Sequence, residues 1–178
     1  MRKLKLDELN RISVDEFRSK DKNPVVVVLD NIRSGVNVGS FFRTCDAFLI
    51  EKLWLCGYTP CPPHKEIFKT AIGAHESVEW ESMPQVGDCI EQLKSEGYYC
   101  VGIEQTDQSI ELQSRTEVKC PTALVFGNEV SGISDNILDL LDEVWEIPQY
   151  GTKHSLNVSV SAGIIIWDVI KELLQARN

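Results

Sequence analysis

At 178 residues, 43% hydrophobic and 25% charged, the chain has the composition of one globular domain with a sizeable core. No apolar run reaches the length of a membrane span, and the first residues, MRKLKLDELN, lack the apolar stretch of a secretory signal; a cytoplasmic protein is expected. The net charge of −9 counts against nucleic acid as a partner, because phosphate contacts require Lys and Arg.

The charge is uneven. Residues 1–22 carry seven basic and five acidic groups, a local +2 that leaves −11 for the remainder. A basic patch and an ordinary solvated helix face both fit that count. Within residues 1–23, read as a short N-terminal extension, Ser13 and Glu16 form a capping box that opens a helix. The charged KDKN stretch and Pro24 then end it.

Residues 25–29 are five consecutive apolar side chains, four of them valine, which suits a parallel strand buried on both faces. A polar, Gly-containing turn is expected at 30–39, a helix at 41–48 and a second strand at 52–55. Residues 77–81 read as a strand. Val86, Ile90 and Leu93 form an i, i+4, i+7 stripe on a helix that Gly97 ends. Strands at 98–103, 123–126 and 143–147, with a short helix at 134–141, continue the alternation. The pattern predicts an α/β domain over residues 1–178, with a mostly parallel sheet and helices on both faces.

Residues 157–174 are predicted to be a helix with two apolar stripes: Val160, Ile164 and Trp167, and Ile166, Ile170 and Leu173. Two such faces need two burial partners. Packing between sheet and neighbours and a dimer seam both remain open.

The six cysteines are scattered, with no C-x-x-C pair, and reduced thiols are expected. Cys56, Cys61 and His64 supply too few ligands for a structural metal site, so none is expected. Ser155 has His154 adjacent rather than facing it, which disfavours a hydrolase, and SGVNVG is neither G-x-G-x-x-G nor a phosphate loop.

Three polar, glycine-bearing segments follow strands, where ligands of open α/β sheets bind: LDNIRSGVNVGSFFRTCDAF, LVFGNEVSGIS and IPQYGTKHSLNVSVSAG. They resemble motifs 1, 2 and 3 of the SpoU branch of the SPOUT methyltransferases, in the family's order. Asn37 and Arg43 match the first; Gly127, Glu129 and Gly132 the second; Ile147, Pro148, Gly151, Ser155, Leu156 and Asn157 the third. The resemblance runs from Val25 to the C-terminus and departs only slightly at Gln149 and Tyr150.

The resemblance implies an RNA methyltransferase that moves a methyl group from S-adenosylmethionine to a ribose 2′-hydroxyl. It implies a C-terminal trefoil knot, a homodimer, and a tRNA or ribosomal RNA substrate. With no added RNA-binding domain expected before the motifs, tRNA is favoured. Cofactor contacts are implied at the loop after Ile103 and at Gly127, Ile147, Ser155 and Leu156, largely through backbone groups.

Methyl transfer to a sugar hydroxyl is limited by a weakly acidic nucleophile, which needs its developing charge stabilised or its proton removed. The family assigns the key role to the arginine matching Arg43. Because a guanidinium stays protonated, Arg43 is expected to grip a phosphate and stabilise oxyanion character rather than act as a simple base. The plain alternative is a helix arginine paired with Asp46. Asn37 is expected to orient Arg43 or the substrate, or to be a turn residue. Glu129 is expected to fix an arginine or a loop amide, or to sit at a helix start. Ser155 and Asn157 are candidate caps of the last helix. All the motif residues are expected to converge on one pocket. The rival readings are a noncatalytic RNA-binding protein of the same fold and a nucleotide-binding oxidoreductase.

Overall fold

A computed structural model describes residues 1–177. In chain order the elements are α1 (Val14–Ser19), β1 (Asn23–Asp30), α2 (Gly35–Ala47), β2 (Ile50–Cys56), α3 (Lys65–Ala71), α4 (Ala74–Ser77) and β3 (Trp80–Met83). They continue with α5 (Val86–Ser95), β4 (Tyr99–Ile103), β5 (Ile110–Glu111), β6 (Thr122–Phe126), α6 (Asp135–Leu138), β7 (Glu143–Glu146) and α7 (Val158–Ala176). The seven strands form one sheet in the order β3-β2-β1-β6-β4-β7-β5. Every pairing is parallel.

The valine run explains the layering. Side chains alternate across a strand, so Val25, Val27 and Leu29 enter one core with α1, α2, α3 and α7, while Val26 and Val28 enter a second core with α5 and α6. A strand covered on both faces has no polar side to show. Ser13 accepts from Glu16 N at 3.2 Å while Glu16 accepts from Ser13 N at 2.7 Å, the capping box expected from sequence. Among the described residues no helix is long and apolar enough to cross a membrane.

Four local expectations need correction. The helix expected at 41–48 begins at Gly35, within the expected turn, with Ser34 as its cap. Gly35 and Gly39 look like turn residues, yet their missing side chains let α3 lie against the α2 backbone, where a Cβ at Gly39 would overlap Thr70 and the Ile67 carbonyl. Residues 77–81 are not one strand: Ser77 closes α4 and hydrogen-bonds Asp46, and the strand starts at Trp80. The helix expected at 134–141 stops at Leu138, beyond which tighter turns carry the chain into β7. Helix α3 and the two-residue strand β5 were not expected, since neither has a long enough apolar period to register.

Helix α7 decides between the two stripes. Ile166 and Ile170 are buried and Leu173 packs against the same core, whereas Val160, Ile164 and Trp167 are exposed.

Candidate active site

The carboxyl ends of adjacent strands β6, β4 and β7 open into a cleft of about 410 Å3. Its lining includes Ile103, Gly127, Ile147, Ser155 and Leu156, all five residues expected to meet the cofactor, together with Glu129 and Asn157. Parallel strands end together, so loops far apart in sequence meet at one edge.

Hydrogen bonds join the three loops. Asn37 Nδ2 donates to Glu129 Oε1 at 2.9 Å, and Asn157 Nδ2 donates to Asn37 Oδ1 at 3.2 Å. Asn37, buried on the first turns of α2, thus holds the second and third loops at once. Asn157 spends its other side-chain atom on Ser159 N at 2.9 Å, capping α7.

Glu129 does not start a helix of its own. Its carboxylate accepts from Arg33 N at 2.9 Å and Ser34 N at 3.0 Å, and so covers the N-terminus of α2 from 95 residues away. That position satisfies free amide donors and faces the positive end of the helix. Burial alone would raise its pKa, but the bonds from Arg33 N, Asn37 and Ser34 N outweigh burial and hold the carboxyl below its ordinary 4.5.

Gly127 and Gly132 shape the second loop. A Cβ on Gly127 would overlap Gly132 and the Ile133 amide, and Gly132 has φ +69° with its open side filled by Glu104. Only glycine fits both places.

Arg43 stands apart. It is absent from the cleft lining and instead borders a second, more open groove with Ser40, Thr44, Lys69, Thr70 and Gly163. Within one chain, then, the motif residues do not all meet at a single pocket: Asn37, Gly127, Glu129 and Asn157 gather at the cleft and Arg43 does not. Six residues separate Asn37 from Arg43, which turns the side chain about 240° around the helix. The expected role of Asn37 in orienting Arg43 directly therefore fails within the chain. The plain alternative fails too: Asp46 accepts from Ser77 Oγ at 2.5 Å, and Arg43 has no ion pair among the described residues.

Ser155 is exposed on the cleft wall and leaves the capping to Asn157. Of the residues around Cys56, Cys61 and His64, Cys56 is buried in the core and His64 packs on Gly35.

Two cleft residues escaped the sequence reading. Glu104 accepts from Gln105 N at 2.8 Å and Ile133 N at 3.1 Å, tying the loop after β4 to the second loop. Asn128 donates to the Asn31 carbonyl at 2.7 Å and to Tyr58 Oη at 2.9 Å, and accepts from Val130 N at 2.9 Å. A polar residue just past a buried strand was the available signal in each case.

Residues 24–167 match the model of the SpoU rRNA Methylase family. The chain belongs to that family. It is 31% identical over 163 residues to a tRNA (guanosine(18)-2′-O)-methyltransferase of Aquifex aeolicus, covering 88% of this chain and 74% of the relative. It is 35% identical over 158 residues to a mouse tRNA (guanosine(18)-2′-O)-methyltransferase, covering 87% of this chain but 10% of that much longer relative. An AdoMet-bound rRNA methyltransferase from Sinorhizobium meliloti shares the fold, with a TM-score of 0.79 at 24% identity over 88% of this chain and 60% of that one. The second and third motif segments line the cleft, and the first is tied to them through Asn37 without lining it.

Proposed function

We propose that the chain is an S-adenosylmethionine-dependent RNA ribose 2′-O-methyltransferase, acting on tRNA rather than ribosomal RNA. The observation that carries this reading is the Glu129–Asn37–Asn157 chain of hydrogen bonds at the rim of the cleft. The tRNA preference rests on the named activities of the Aquifex and mouse relatives.

The cleft suits the cofactor. Its volume lies in the range of small-molecule sites, Ile103, Phe126, Ile147 and Leu156 give apolar walls, and Glu104, Glu129 and Glu146 give carboxylates. When bound, the cofactor supplies an electrophilic sulfonium methyl group. Gly127 would present backbone to it without side-chain bulk and the Ser155–Leu156 turn would add backbone groups beside the Leu156 wall, while Asn37, Glu129 and Asn157 keep the loops in register. Prepaid geometry of this kind lowers the barrier to an in-line displacement.

Arg43 then serves the cleft of a second subunit. The exposed stripe of Val160, Ile164 and Trp167 is a candidate homodimer seam, and Gly163 on the same helix borders the Arg43 groove. Trp167 also packs on Phe48, 5.8 Å between ring centroids, at the end of α2. An arginine left unpaired beside such a seam is placed to hold a phosphate next to the target ribose and to stabilise charge on its hydroxyl.

The reading includes one methyltransferase domain over residues 1–178, with residues 1–23 as an extension, and a trefoil knot near the C-terminus. Residues 104–121 support the knot: Arg115 pairs with Asp168 at 2.7 Å and Glu172 at 2.6 Å, and Val118 N donates to Glu172 at 2.7 Å, so the segment straps α7. Six free cysteines support a reducing, cytoplasmic location.

Labelled methyl transfer to total RNA, followed by mapping of the modified nucleotide, tests the activity. A chain that binds no S-adenosylmethionine in a calorimetric titration refutes it. Mixing Arg43→Ala chains with Asn157→Ala chains tests the shared site: random re-pairing restores about a quarter of full activity if Arg43 acts across the seam.

A further inference from the structure

The acidic net charge conceals a segregation. Residues 1–75 carry twelve Lys and Arg against nine Asp and Glu, while residues 76–149 carry three against sixteen. In the fold the helices of these stretches fall on opposite faces of the sheet, while residues 104–121 pack on α7. Helices α2 and α3 cover the face whose core includes Val38, Phe41 and Ile67; α5 and α6 cover the other, with Cys89, Ile90 and Ile137. The α5–α6 side presents Asp88, Glu91, Asp135, Asp139 and Asp142, and its cation, Lys94, is bound to Asp142 at 2.9 Å.

The cations also differ in whether they are paired. Lys52, Lys94, Arg115, Lys119 and Lys171 are all paired with carboxylates. Arg33, Lys65 and Lys69, exposed around α2 and α3, have neither carboxylate nor carbonyl partners among the described residues. Their places are fixed relative to the motif-1 helix. Arg33 precedes α2 and its amide binds Glu129; Lys65 follows His64, which packs on Gly35; Lys69 precedes Thr70, whose hydroxyl donates to the Val36 carbonyl at 3.0 Å. Lys69 and Arg43 share a groove with no acidic residue in its lining. The acid on α3 is Glu66, which is exposed and makes no ion pair with either lysine.

We infer that the substrate RNA lies over the α2–α3 face, its backbone phosphates held by Arg33, Lys65 and Lys69, and that the α5–α6 face is turned away from it. The inference rests on the methyltransferase reading and adds the direction of approach. Solvated lysines normally contribute little to stability, so cations left unpaired in an acidic chain cost the fold nothing and remain available to phosphate. Repulsion by the acidic far face further restricts RNA to one side.

The test is binding of unfractionated tRNA to the full chain across a potassium chloride series, beside methyl transfer to the same RNA. The Lys65→Ala, Lys69→Ala double variant is expected to bind about tenfold more weakly, with a salt slope shallower by about 1.4 for two lost single-strand phosphate contacts. Lys65→Arg with Lys69→Arg should keep the wild-type slope, and Asp88→Asn with Glu91→Gln on α5 should not weaken binding. If wild type methylates the RNA and the alanine variant, with an unchanged melting temperature, matches its KM and slope, the proposed track is wrong while the activity stands. If wild type binds cofactor but neither binds nor methylates RNA, both fall.

Discussion

The two ends of helix α2 are built on opposite principles. At its N-terminal end Asn37 is buried and bonded to loops 92 and 120 residues away, and Glu129 covers the free amides. Toward its C-terminal end Arg43 is exposed, unpaired and open to a groove. One end is finished within the chain; the other is left open to solvent. A site that must hold a cofactor before RNA arrives gains from the first arrangement, and one that must recognise an incoming phosphate gains from the second.

Substitutions can set the two ends against each other. The largest effect is expected at the open end: Arg43→Ala should lower kcat at least 100-fold with cofactor affinity and melting temperature unchanged. Arg43→Lys should recover little, because a point charge does not replace a two-pronged donor. Full methylation by the lysine variant would remove Arg43 from the mechanism.

At the finished end the order reverses. Gly127→Ala places a Cβ against the Gly132 and Ile133 backbone and is expected to cost about 1–3 kcal/mol, read as a lower melting temperature, together with most cofactor binding. Asn37→Ala removes bonds to both neighbouring loops and is expected to cost about 1–2 kcal/mol, with a weaker cofactor titration. If either variant lost turnover while keeping stability and cofactor affinity, the contrast between the ends would be false.

The smallest effect is one of pH. The folded Glu129 carboxyl titrates below its ordinary 4.5, so its contribution to stability is fully present above that value and is lost as the pH falls through the lowered one. Thermal melts of wild type and Glu129→Gln should differ by a constant amount near neutrality and converge below pH 4.5. Curves that stay parallel in acid would deny the carboxylate that role.

Composition and pattern carried much of this protein. The valine run determined a doubly covered parallel strand because a residue period of two with no polar member leaves no face for water. The Ser13–Glu16 cap was equally legible, since its donors and acceptors are three residues apart. The motif residues marked the loops because glycine, asparagine and arginine placed after strands are seldom needed for packing alone. Their division into a wired set and a lone arginine was not legible: it depends on which side of α2 each residue occupies and where that helix starts, and Gly35 and Gly39 disguised the start. The long bonds between Asn37, Glu129 and Asn157, the strap of Arg115 on α7 and the sorting of charge between two faces belong to the tertiary structure alone. Local sequence fixes what a residue can donate, accept or bury, whereas only the packed sheet brings distant partners within the roughly 3 Å at which hydrogen bonds act.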